Sequence, residues 1–192
     1  MNFQTYLNQF TQILENPNPS APYDDPAFVE YTKLNWSRLN RWLKSGEINP
    51  ALKETVSKIN RPLNWIVITE PWCGDAAHIV PFFHMIASLN PLINIEYELR
   101  DSAPFTINDY LTNGSKAIPI LVVRDENNKD IFRWGPRPKL AQDFFLDLKN
   151  KGTDLDSTKL ALQQWYNQDK GQALQNEFVQ LLGNLSPSTP SK

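Results

Sequence analysis

From Trp65 to Thr69 the chain reads Trp-Ile-Val-Ile-Thr, an uninterrupted apolar and β-branched run. It is too short for a helix of ordinary length. Its lack of alternation marks a strand buried on both faces. The segments around it have a different period. Phe3, Tyr6, Leu7, Phe10 and Ile13 follow helical spacing, as do Ile79, Val80, Phe83 and Ile86 beyond the strand. A buried strand set among amphipathic helices confines the middle of the chain to an α/β architecture.

The remaining elements follow from local signals. Helix Phe3–Glu15 must stop at Asn16-Pro-Asn-Pro-Ser-Ala-Pro22, which cannot continue it. Asp25-Pro26 then supplies an N-cap and a proline at the first helical position, opening a helix to about Leu43 that Ser45-Gly46 ends. A shorter helix follows Pro50. Beyond the buried strand, residues 75–89 read as helix, and Ile93, Ile95, Tyr97 and Leu99 alternate with polar residues as a second strand. Pro104 to Leu111 reads as a short helix. A third strand spans 118–123, and Ile131–Trp134 returns from the turn at Asp125–Asn128 as its hairpin partner. Helical spacing resumes at Leu140, Phe144 and Leu148, and two more helices carry Leu155, Leu162, Trp165 and Tyr166, then Leu174, Phe178 and Leu181.

Bulk properties narrow the function. With 41% hydrophobic and 21% charged residues, a packed core is within reach. A net charge of −2 makes no electrostatic case for nucleic acid or an anionic membrane as partner. No apolar stretch approaches the roughly 20 residues that cross a bilayer, and the N-terminus lacks the basic-then-apolar pattern of a secretory leader. One cysteine cannot form an intrachain disulfide, which suits a reducing compartment, so the cytoplasm is expected. His78 and His84 are six apart on one helix and do not share a face. No metal or other cofactor is expected, and His78 reads as a surface residue.

The lone cysteine lies in Trp72-Cys73-Gly74-Asp75-Ala76, directly after the buried strand. With it go Pro81 eight residues on, Ile118-Pro119 at the third strand and Gly135 at the end of the hairpin. In this order, across a β-α-β then β-β-α plan, these markers resemble the thioredoxin family, and in particular small bacterial members with a Trp-Cys-Gly-Asp-Ala motif. The resemblance implies a four-stranded mixed sheet over residues 61–150, with the strand after Pro119 antiparallel to the first. The resemblance does not cover the flanks, where helical spacing makes residues 1–60 a helical extension packed on that unit and 151–185 two C-terminal helices, and polar, proline-bearing composition makes 186–192 a disordered tail. The resemblance further implies that Cys73 is the nucleophile at a helix N-terminus, that Ile118-Pro119 is cis, and that Trp72, Gly74, Asp75, Ile118, Pro119, Trp134, Gly135 and Arg137 form the substrate groove. Arg137 or Trp134 would engage a carboxylate or peptide plane there; the alternative is a rigid corner with solvated arginines. Lys116 is either an anion ligand or a surface lysine.

Three departures alter the implied chemistry. Ala76 replaces the resolving cysteine, so Cys73 can attack a disulfide but needs an external thiol for release. Val67 stands where the family has a buried carboxylate, six residues before the cysteine. Asp75 replaces a proline, and either caps the helix, the preferred reading, or opposes the thiolate. The Cys-Gly-Phe-Ser motif of monothiol glutaredoxins is not matched, so an iron–sulfur role has little support. What remains is monothiol exchange with protein or small-molecule thiols and disulfides, or a non-catalytic binding module using the Pro119 groove. Oligomeric state is not legible.

Overall fold

The computed structural model describes residues 1–185. The expected disordered tail, 186–192, lies outside the described residues. Three helices come first: α1 (Phe3–Glu15), α2 (Pro26–Ser45) and α3 (Pro50–Ser57). Each begins on a side chain that accepts a backbone N–H of the first turn, from Asn2, Asp25 and Asn49 in turn. Then follow β1 (Leu63–Thr69), α4 (Gly74–Ala87), β2 (Ile93–Leu99), β3 (Ile120–Arg124), β4 (Asp130–Trp134), α5 (Lys139–Asn150), α6 (Leu155–Asp169) and α7 (Gln172–Gly183).

The sheet order is β2-β1-β3-β4, with β1 parallel to β2 and antiparallel to β3, and β3 antiparallel to β4. This is the mixed sheet of a thioredoxin-like fold with additional helices. Two local expectations need correction. Residues 104–111 form only a short 3-10 turn at Thr106–Asp109. The third strand starts at Ile120 instead of Ile118, because Pro119 has no N–H to donate and the Ile118 carbonyl accepts the Cys73 thiol.

Large aromatic rings pack on one face of the sheet. Trp65 meets Phe178 of α7 with ring centres 5.9 Å apart, Phe83 of α4 packs edge-on to Trp134 at 5.4 Å, and Tyr97 stacks on Tyr6 of α1 at 5.5 Å. Edge and offset contacts of this kind add to the burial of large rings. The helices before and after the sheet are joined to each other as well. Buried Gln175 of α7 donates to Glu47 O at 3.0 Å and accepts Asn49 N–H at 2.7 Å. The turn into α7 requires Gly171, whose φ is +78° and where a Cβ would lie 2.4 Å from the Phe82 ring.

Candidate functional site: a basic cleft in front of Cys73

Three residues separate the end of β1 from Cys73, and α2 fixes their path. Asn35, fully buried, donates to Pro71 O at 3.0 Å, while Phe28 sits edge-on to Trp72 at 5.7 Å. The Arg100 guanidinium lies 4.6 Å from the centre of the same Trp72 ring. Cys73 N–H donates to Glu70 O at 3.1 Å, so Cys73 becomes the N-cap of α4. Its Sγ accepts Ala76 N–H at 3.5 Å and donates to Ile118 O at 3.4 Å. The Ile118–Pro119 peptide bond is cis.

Asp75 does not cap the helix. The cap is the sulfur of Cys73, and the Asp75 carboxylate turns instead to Arg137, at 2.7 and 3.0 Å through two guanidinium nitrogens, and accepts Tyr166 O–H at 2.8 Å. Both side chains of the ion pair are mostly buried, 13% exposed for Asp75 and 17% for Arg137. Burial alone would lower the Arg137 guanidinium, yet the carboxylate of Asp75 holds it above its usual value. The consequence for sulfur runs against thiolate formation. Cys73 is 7% exposed, and its burial, then the nearby Asp75 charge, push the thiol up to about 12, outweighing the Ala76 N–H. At neutral pH Cys73 is therefore a thiol, consistent with its donating to Ile118 O.

His78 is not at the surface. It is 3% exposed and stacks on Tyr166 with ring centres 4.6 Å apart. Trp42 Nε1–H donates to its Nδ1 at 2.9 Å, and because indole nitrogen only donates, the ring proton belongs on Nε2, which reaches Gln163 Oε1 at 2.9 Å. Burial first, with Arg38 and Arg41 adding repulsion, lowers its pKa to about 4, so the imidazole is neutral. His78 and Asp75 thus tie α4 to α2, α6 and the turn between β4 and α5 as one polar wall.

Beside that wall is a cleft of about 590 Å³. From α2 it takes Phe28, Tyr31 and Arg38; from the cysteine turn Trp72, Cys73, Gly74 and Asp75; from the sheet side Arg100, Lys116, Ala117 and Ile118; from beyond β4 Pro136, Arg137 and Phe145; and from α6 several residues between Leu155 and Tyr166. Of the anticipated groove residues it contains Trp72, Gly74, Asp75, Ile118 and Arg137. Arg137 is paired there, not solvated, and Lys116 lies at the exposed edge.

Pro119, Trp134 and Gly135 do not line it. Trp134 is 7% exposed and donates its indole N–H to Glu177 at 2.6 Å. Gly135, at φ +124°, lies so close to the strand before it that a Cβ would sit 2.2 Å from Pro119 O. Pro119 and Gly135 therefore pack on each other beneath the site. Sequence reasoning also missed Arg38, Tyr166 and Glu70. Glu70 is 5% exposed, and burial raises its carboxyl to about 7 although Asp101 N–H donates to it at 3.1 Å. An acid directly after an apolar strand was its one sequence signal. Arg38 and Tyr166 had none, since their partners are distant in sequence. Among the described residues no group of three His, Cys, Asp or Glu side chains could hold a metal ion, and no helix is long and apolar enough to cross a membrane.

No curated protein is detectably similar in sequence. Two solved structures share the fold. A protein of unknown function from Pseudomonas aeruginosa superposes with a TM-score of 0.54 at 17% identity, over 96% of this chain and 92% of its own. An HIV epitope-scaffold gives 0.50 at 19% identity, over 84% of this chain and 88% of its own. At sequence level, a family model described as Thioredoxin matches residues 23–154, more than half of the chain. With the sheet order and helix placement found above, this match establishes that the chain belongs to the thioredoxin family.

Proposed function

We propose that this protein is a thioredoxin-fold binding module, in which the 590 Å³ cleft in front of Cys73 takes a ligand and the thiol does not turn over. The observation that carries this reading is the state of Cys73: buried, donating to Ile118 O, and pushed up to about 12 by burial and Asp75. A thiolate is the attacking species in exchange, and here it is rare at neutral pH. Residues 61–150 act as the thioredoxin-like unit, and the helices on either side build the cleft walls.

A second reading rests on a specific observation too. The Cys73 sulfur already accepts Ala76 N–H at a helix N-terminus, where a thiolate would be favoured once formed. In that case Cys73 would be a monothiol exchanger. Its thiolate attacks a disulfide R–S–S–R′, forms Cys73–S–S–R and expels R′S⁻, which takes up the proton that Cys73 gave to solvent. An external thiolate then attacks Cys73–S–S–R, restores Cys73 and leaves oxidised in a new disulfide. Ala76 can supply no internal resolving sulfur.

Intact-mass measurement after incubation with oxidised glutathione at pH 7 decides between them. The binding module predicts unmodified protein after an hour in millimolar disulfide. A stoichiometric adduct that is absent in Cys73→Ser would transfer the conclusion to monothiol exchange.

A further inference from the structure

The walls of the cleft carry an imbalance of charge. Arg38, Arg100, Lys116, Arg137 and Lys159 line it, against the single carboxylate of Asp75. Arg137 is taken by Asp75, Arg100 by Asp101 and Lys159 by Asp156. Arg38 and Lys116 have no carboxylate within ion-pair reach among the described residues. Arg38 is the more telling of the two. It is half-buried, its one hydrogen-bond partner among the described residues is the neutral Asn35 side chain at 2.9 Å, and it stands 3.8 Å from where a Cβ of Gly74 would be, directly beside the cysteine turn. Burial and the neighbouring Arg41 both disfavour its charged form. A partly desolvated guanidinium without an anion is costly to maintain.

The second observation is apolar surface. Leu155 and Leu160 of α6 line the same cleft yet remain 68% and 60% exposed, and Tyr31 of α2 is 37% exposed. Singly such residues need no explanation, but three around one cavity resemble a ligand-facing patch. Across the cavity the two helical walls are joined, because Lys159 Nζ donates to Tyr31 Oη at 2.6 Å. That bond leaves little passage for an extended chain between α2 and α6 and favours a small molecule.

Resting on the binding-module reading, we propose that the cleft takes a small organic anion, a carboxylate or sulfonate on an apolar body, whose charge is met by Arg38 and Lys116 and whose body lies against Tyr31, Leu155 and Leu160. A bare inorganic anion would leave the apolar walls uncovered, and a neutral apolar ligand would leave Arg38 without a counter-charge. The positive rim also accelerates capture of an anion in low salt.

The test compares two dyes with the same apolar body, 8-anilinonaphthalene-1-sulfonate and the neutral N-phenyl-1-naphthylamine, by fluorescence titration of the full chain. The proposal expects one saturable site for the sulfonate, about tenfold tighter than for the neutral dye, displaced by decanoate and retained in Cys73→Ser. Arg38→Gln should weaken the sulfonate by about tenfold and leave the neutral dye unchanged, while the exposed Arg61→Gln has no effect. Far-UV circular dichroism checks each variant; if Arg38→Gln does not fold, exposed Lys116→Gln must show the same selective loss. Equal affinity for the two dyes overturns the anion class and leaves the binding module standing. Loss of neither variant's affinity for the sulfonate also overturns it. If neither dye binds, the anion proposal and the binding module both fall.

Discussion

The two ends of α4 are buried to nearly the same degree, but by different matter. Around its third turn, Phe82, Phe83 and Ile86 are at most 1% exposed, and their neighbours are Trp42, Trp134 and Phe178, with ring centres 5.4–5.6 Å away. At its first turn, Asp75 and His78 are held by hydrogen bonds and an ion pair with Tyr166, Arg137, Trp42 and Gln163, and Cys73 by Ile118 O, with a cleft alongside. Apolar packing at one end offers no group to titrate and depends on shape. The other end depends on which atom holds each proton. The same helix thus anchors the fold and sets the charge state of the site.

The largest expected effect breaks the apolar end. Phe83→Ala should cost about 3–5 kcal/mol, since a fully buried ring leaves a cavity between Trp134 and Phe178; chemical denaturation measures it. At the polar end, Asp75→Ala should cost about 2–4 kcal/mol by the same assay, because it strands the Arg137 charge and the Tyr166 hydroxyl together. Asp75→Asn should cost less, as an amide still accepts from Tyr166. A loss for Asp75→Ala no greater than for an exposed pair such as Lys58–Glu54 would mean that the wall is not structural.

Glu70 sharpens the comparison through pH. Its carboxyl is held up to about 7 against 4.5 in the unfolded chain, so the folded state keeps a proton that the unfolded state releases. Its effect on stability therefore becomes less favourable as pH rises from 4.5 to 7. His78 acts oppositely: lowered to about 4 from 6.5, it weakens the fold as pH falls through that window. The two slopes oppose each other between pH 4.5 and 6.5. Glu70→Gln removes one of them, so relative to wild type it should gain about 1–3 kcal/mol on going from pH 4.5 to 7.5. A difference that is constant across this range would refute a protonated, buried Glu70. The smallest effect belongs to the cleft edge. Tyr31→Phe removes the bond to exposed Lys159 and should change stability by no more than about 0.5 kcal/mol.

This contrast between the ends also separates what was legible in the sequence from what was not. Period and caps revealed the apolar scaffold: helix Phe3–Glu15, the Asp25-Pro26 start, and the buried β1 are as read. The four-stranded sheet was legible through the resemblance that Trp72-Cys73-Gly74, Pro81, Ile118-Pro119 and Gly135 carry across a β-α-β then β-β-α order. The polar wall was not legible, because its bonds join residues 36, 62, 85 and 91 positions apart. A local rule assigned Asp75 to the helix end, where acids are common, and could not see that Arg137 and Tyr166 would turn its carboxylate away. The histidine read as exposed for the same reason, its acceptor role being set by Trp42 from another helix. Trp134 was misplaced because hairpin position indicates proximity to the cysteine but not which sheet face the ring takes; Glu177 of α7 holds it inside.

The central claim is that burial and Asp75 together keep Cys73 a thiol at neutral pH. The rate of Cys73 alkylation by iodoacetamide, followed from pH 6 to 10.5 in wild type and Asp75→Asn, tests this most directly. The account predicts a wild-type rate at pH 7 at least about a hundredfold below that of free cysteine, rising with pH and with no plateau by pH 10.5, and a several-fold faster rate in Asp75→Asn. A wild-type plateau reached by pH 8, unchanged in Asp75→Asn, would contradict it.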